Sequence, residues 1–169
     1  MPNYKLDAMF ELRKYMWNKM KVSNIFDPNT YYSDNLDETL IPIVPVQQQA
    51  EMSQFLSGKK HIVYDKIGMS YKDNWLICCE QILFTVYSTD ILDIVEIRNF
   101  MTDEFRRMDE SGKDVNKWSG LSDKFKFHTI FIADISPTKP SEEMQGFLAT
   151  DIILEIQYSR ITDNNGRFA

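Results

Sequence analysis

Oily and polar residues alternate most densely between Trp75 and Tyr87, where WLICCEQILFTVY predicts one long strand. Side chains alternate across a strand, so Leu76, Cys78, Ile82, Phe84 and Val86 share one face, with Glu80 among them. Trp75, Ile77, Cys79, Leu83 and Tyr87 share the other, interrupted by Gln81 and Thr85. A small antiparallel sheet ordinarily shows one apolar and one polar face. Two oily faces need two covers. The helices expected in this chain suffice for one, which leaves the second to another subunit or to the chain's own N-terminal segment.

Residues 5 to 20 carry Leu6, Met9, Phe10, Met16, Trp17 and Met20 at the spacing of one helical face. Arg13 falls inside that stripe and is expected to snorkel at its edge. From Lys21 to Lys60 the period dissolves. Asp27-Pro28-Asn29 is a turn signal, and the prolines of IPIVPV (Ile41 to Val46) limit that piece to an edge strand or a strap. Ala50 to Leu56 predicts a short helix ended by Gly58. The whole of 21–60 is expected to be an irregular arm or strap, and an arm in contact with something is preferred.

A strand at His61 to Ile67 and a polar turn over Gly68 to Asn74 complete a hairpin with the long strand. Thr89 and Asp90 offer caps for a helix from Ile91 to Met108, with Ile91, Ile94, Ile97, Met101, Phe105 and Met108 as its inward stripe. Leu92 and Phe100 flank Glu96 on its outer side as a weaker apolar patch. Residues 109 to 123 read as a polar loop carrying Trp118. A strand follows at Phe125 to Ile132, with Phe125, Phe127, Thr129 and Phe131 on one face. A loop from Ser136 to Ala149, a last strand from Thr150 to Ile161 and a flexible tail over 162–169 complete the chain. The order predicts a single α+β domain: a mostly antiparallel four-stranded sheet packed against two helices, with a long extended N-terminal arm.

Composition narrows the function. A chain of 169 residues, 43% hydrophobic and 13% aromatic, can bury a real core as one domain. Its formal charge of −6, with no Lys/Arg-rich run, argues against nucleic-acid binding. The apolar runs are too short for a membrane span, and MPNYKLDAMF lacks the lead of a secretory signal, so a cytoplasmic protein is expected. Cys78 and Cys79 are strand neighbours on opposite faces, which excludes a mutual disulfide and a thiolate metal site.

Catalytic chemistry finds little to work with. His61 and His128 fall in no metal or catalytic spacing, and no phosphate-cradling glycine loop or nucleophile elbow occurs. Glu80 is the one acid inside an apolar strand, and an ion pair with Arg98 or Arg160 is its expected fate. No enzyme, cofactor or metal is expected.

An opening helix (LDAMFELRKYMW), the extended IPIVPVQQQ, and a strand pair ending FTVYSTD that runs into IVEIRNFMTDEFRRM come in a telling order. FKFHTIFIADISPTKPSEE and the closing IILEIQYSRI complete the set. Over roughly residues 5 to 161 the chain resembles the bacteriophage tail terminator, or tail completion, proteins. The 21–60 stretch departs most from a compact terminator. The resemblance implies a structural virion protein, made in the host cytoplasm. It implies a six-membered ring of identical copies that caps the head-proximal end of the tail tube, with tube protein, neck or connector and, in contractile tails, sheath as partners. Heterologous ring contacts bring two different patches together. Trp75, Ile77, Leu83 and Tyr87 are the expected first patch, and Leu92 and Phe100 the second. Pro137, Pro140, Glu142 and Glu143, with Arg167 and Phe168 of the tail, are the expected contacts to tube or neck. The alternatives are a sheath-side terminator, a head–tail adaptor of the neck, or a small-molecule-binding or catalytic α+β domain.

Overall fold

A computed structural model describes residues 7–71, 77–118, 120 and 124–160 of the chain. Helix α1 (Ala8–Val22) opens it, and the Asp7 carboxylate accepts from the Met9 N–H to cap its first turn. Two short strands, β1 (Tyr32–Ser33) and β2 (Glu38–Thr39), pair with each other. Strand β3 (Ile43–Pro45) and a single turn α2 (Gln49–Met52) lead to β4 (His61–Tyr71), which forms an antiparallel hairpin with β5 (Ile77–Ser88). Helices α3 (Ile91–Glu104) and α4 (Met108–Lys117) follow, then β6 (Phe125–Ile135), β7 (Lys139–Pro140) and β8 (Leu148–Arg160).

The protein is α+β, with four α-helices among the described residues and a mixed sheet larger than the four strands expected. Its strand order is β3-β4-β5-β8-β6, with β7 pairing on β8. The four long strands are antiparallel, as their patterns predict. The additions come from proline-bearing pieces. IPIVPV contributes β3, parallel to Ile62–Tyr64 at the sheet edge, where a proline's missing N–H is tolerated. Lys139–Pro140 contributes β7.

One face of the sheet is sealed. Ile82, Phe84 and Val86 of β5 and Ile152, Leu154 and Ile156 of β8 are buried beneath Leu12, Met16 and Met20 of α1 and Ile94, Ile97 and Met101 of α3. Each large side chain so buried contributes about 1.5–3 kcal/mol. The 21–60 segment does not project as an arm. Ile25, Phe26, Tyr31, Ile43, Val44 and Leu56 join the same core, and Tyr31 meets Trp17 and Phe26 edge to face. It is a strap.

Helix α4 occupies what the sequence reads as loop. Ser, Gly, Asp and Asn are weak helix formers, so local propensity hides it. Packing supplies what propensity lacks. Val115 is buried, and the Ser111 hydroxyl donates to the Glu104 carbonyl. The Asn116 carboxamide donates to the Phe127 carbonyl at 2.7 Å and accepts from its N–H at 2.8 Å, as a neighbouring strand would. Gly112 lies so close to β6 that a Cβ there would stand 2.5 Å from the His128 carbonyl oxygen. The helix thus shields the outer edge of β6.

Strand β6 also departs from simple alternation. A bulge between Phe127 and Thr129 moves Thr129 and Phe131 to the outer face, opposite Gln157 and Glu155, while Phe125, Phe127 and Ile130 stay buried.

Candidate functional site

The second face of the sheet, called here the outer face, has no helix over it among the described residues. Alternation places Ile77, Cys79, Gln81, Leu83, Thr85 and Tyr87 of β5 on it, and Ile153 and Glu155 of β8 beside them. Ile77, Cys79, Leu83, Phe131 and Ile153 are half-buried there. The roof expected from the chain's own start is not on this side. Helix α1 packs with α3 on the sealed face, where Tyr15 donates to Glu104 and meets Trp118 edge to face.

A partial roof comes from the other candidate segment. After β6 the chain passes through β7 and crosses the end of the outer face between Ser141 and Phe147. The crossing is held by the Ser141 N–H to the Phe147 carbonyl, and by the Met144 N–H to the Ser141 hydroxyl. Phe147 and His61 close over Tyr87, the imidazole stacked on the phenol ring at 5.2 Å. The Tyr87 hydroxyl donates to Glu143 at 3.2 Å. Burial, and then the Glu143 charge, push that phenol's pKa up to about 12. Tyr87 is therefore a covered residue and not an open contact.

Between this crossing, the strap and the sheet lies an open cleft of about 360 Å³. Val63, Leu83 and Ala149 line its floor, and Asp65, Glu142, Glu143 and Asp151 its rim, with Lys139 as the single cation. Asp151 accepts from the Thr85 hydroxyl at 2.9 Å. A smaller hollow of about 310 Å³ sits behind the crossing, walled by Leu56, His61, Ala50 and Met144.

The structure brings part of the expected site together. Leu83, Tyr87, Pro140, Glu142 and Glu143 converge on the cleft, although the sequence reading assigned them to two separate contacts. Ile77 lies farther along the same face, and Pro137 is exposed before β7. Leu92 and Phe100 do not join them. Both stand on α3, on the far side of the sheet. Leu92 is 70% exposed beside Ile91 and Val95, and Phe100 lines a separate cleft with Ile25, Glu96 and Asp103. Trp75, Arg167 and Phe168 lie outside the described residues.

The buried charge has other partners than those expected. Glu80, 2% exposed on the sealed face, accepts from the Tyr158 hydroxyl at 2.7 Å and meets Lys66 at 3.5 Å. Lys66 also reaches Asp7 at 2.9 Å, joining the start of α1 to the hairpin. The cation comes from β4, not from α3.

Neither histidine sits free on the surface. His61 is buried, its Nδ1 2.8 Å from the Lys59 carbonyl, and burial lowers its pKa. His128 is half-buried at the bulge, its Nε2 2.6 Å from the Ser159 hydroxyl. A hydrolytic pair of that type needs a carboxylate to orient and charge the ring. Here desolvation and then the Lys126 cation lower the His128 pKa, the opposite influence. Among the described residues no cluster of His, Cys, Asp or Glu can hold a metal ion, and Cys78 and Cys79, on opposite faces, are not joined in a disulfide. No described helix is long and apolar enough to cross a membrane.

No protein-family model matches the chain, and no curated protein is found similar to it.

Proposed function

We propose that the protein is a structural component of a phage virion, a tail terminator whose copies form a ring. The ring caps the head-proximal end of the tail tube and joins it to the neck. The observation that carries this reading is the outer face of the sheet. A face with Ile77, Cys79, Leu83, Phe131 and Ile153 half-buried and no helix over it among the described residues, beside a cleft, suits a surface completed by another protein. A stable contact buries roughly 800 Å² on each partner. The residue order that resembles the terminator family adds the kind of assembly.

The test is reconstitution. Added to polymerising tail tube protein, the purified chain is expected to halt tube growth, and it should leave sheath polymerisation alone. Ile77→Asp and Leu83→Asp are expected to abolish ring formation while the far-ultraviolet spectrum and the unfolding transition stay those of a folded monomer. Normal assembly by these variants, or outright unfolding, would remove the outer face from the contact. Arrest of sheath growth in place of tube growth would move the protein to the sheath side.

A further inference from the structure

We infer that residues 1–6 of the chain add one more strand to the sheet, laid antiparallel along the open margin of β4 from Lys66 to Tyr71. The pairing lies within one copy and is independent of ring formation.

The margin changes character halfway along β4. Its first half is paired: β3 runs parallel to Ile62–Tyr64, and the Ile62 N–H donates to the Pro42 carbonyl at 2.9 Å. His61 to Tyr64 are buried there. Beyond Tyr64 the inner side of β4 stays paired with β5, from Asp65 opposite Leu83 to Tyr71 opposite Cys78, while no described strand pairs with its other side. Burial stops at the same point. Asp65, Lys66 and Ser70 are exposed, and Ile67 and Met69 keep 47% and 61% of their surface in water. The unpaired N–H and C=O groups of a strand margin are a template for a further strand.

The start of α1 selects the occupant. The Asp7 carboxylate lies 2.9 Å from the Lys66 ammonium, which also meets Glu80 at 3.5 Å, so the chain is pinned beside the margin where the gap opens. Asp7 itself is extended, with φ −102° and ψ 119°, so the chain reaches the helix with the backbone of a strand. Six residues precede it. Extended, they reach about 20 Å, and Lys66 to Tyr71 at about 3.3 Å per residue spans the same length. Because β3 occupies the margin at Tyr64, the segment has room only toward Tyr71, which sets its direction opposite to that of β4. The residues suit such a strand. In MPNYKL, Tyr4 and Leu6 alternate with Asn3 and Lys5, and pairing from Asp7 at Lys66 sets Tyr4 level with Met69. Pro2 then falls at the strand's first positions, where a missing donor is tolerated.

The test uses the full chain, dilute enough that copies do not meet. Tyr4→Cys with Met69→Cys should form an intrachain disulfide under mild oxidation, identified by peptide mapping. Tyr4→Cys with Val22→Cys, whose second site is 75% exposed at the far end of α1, should form at least about tenfold less. Hydrogen exchange gives a second reading. Tyr4→Pro with Lys5→Pro removes two donors from the segment, and the amides of Lys66 to Tyr71 should then exchange at least about tenfold faster, while those of Ile82 to Val86 keep their rate. If Ile82 to Val86 accelerate as well, the fold has been disturbed and the disulfide decides. A bond that joins two chains makes a second copy the occupant and overturns the assignment to residues 1–6. Exchange at Lys66 to Tyr71 as fast in the parent as in the proline variant, or no preference for Met69→Cys over Val22→Cys, overturns it too. None of these failures bears on whether copies form a ring.

Discussion

The two faces of one strand meet opposite fates. On β5, Ile82, Phe84 and Val86 are fully buried, whereas Ile77, Cys79 and Leu83, one residue out of phase, are half in water. Their hydrophobicity is similar, so composition does not separate them. Helices do: α1 and α3 both pack on the first face. Among the described residues the second receives only a loop across one end. An apolar residue in a strand thus reports a preference for cover without naming its source.

The contrast can be broken by substitution. Phe84→Ala removes a ring from the sealed face and should cost about 3–5 kcal/mol, while Leu83→Ala next to it should cost roughly 1 kcal/mol. Urea midpoints measure both, and equal losses would mean that the outer face is as well covered as the inner. Tyr158→Phe, on the sealed face, takes the hydroxyl donor from Glu80. A lost hydrogen bond to a buried charge predicts about 1.5–3 kcal/mol in the same measurement.

Gly112→Ala probes the flank. A methyl 2.5 Å from the His128 carbonyl must push α4 off β6, so a loss of about 1–3 kcal/mol is expected, with faster amide exchange in α4. An unchanged melting temperature would deny the close approach. The smallest effect is expected from pH at the roofed end of the outer face. Burial lowers the folded-state pKa of His61, so the unfolded chain binds more protons once pH falls below the ordinary value of about 6.5. The contribution is complete above that value and is lost on acidification toward the folded pKa. His61→Gln should flatten that part of the melting temperature against pH more than His128→Gln does, since His128 is less buried. Equal slopes in all three proteins would place His61 in water.

Periodic segments were legible from the residues, and segments held by tertiary contacts were not. The long strands, α1 and α3 appear within a few residues of their predicted bounds because each repeats a clear period, and Asp90 caps α3 as expected. Helix α4 was invisible, since its Gly and Asn are poor helix formers chosen for what they meet on β6. The bulge at His128 could not be seen either. One extra residue reverses every side chain after it, which is why Phe131 ends opposite the face assigned to it. Of the candidate site, the oily second face of β5 was readable. Its meeting with Glu142 and Glu143 was not, because that depends on where a fourteen-residue connection crosses. Glu80 was correctly singled out as a buried charge, but its cation arrives from the facing strand and no spacing in the chain marks Lys66.

The Asn116 carboxamide, gripping the main chain of Phe127 from the side, also limits how the molecule can go wrong. A bare strand margin is a template on which like strands zip up without end, the route to fibrils. With a helix clamped there, and the short proline-bearing β3 covering the start of β4 at the far margin, the described sheet offers less sticky tape at either end. Contacts between molecules must then be made by side chains of chosen sign and shape, which can stop at a fixed number, and not by backbone ladders, which cannot.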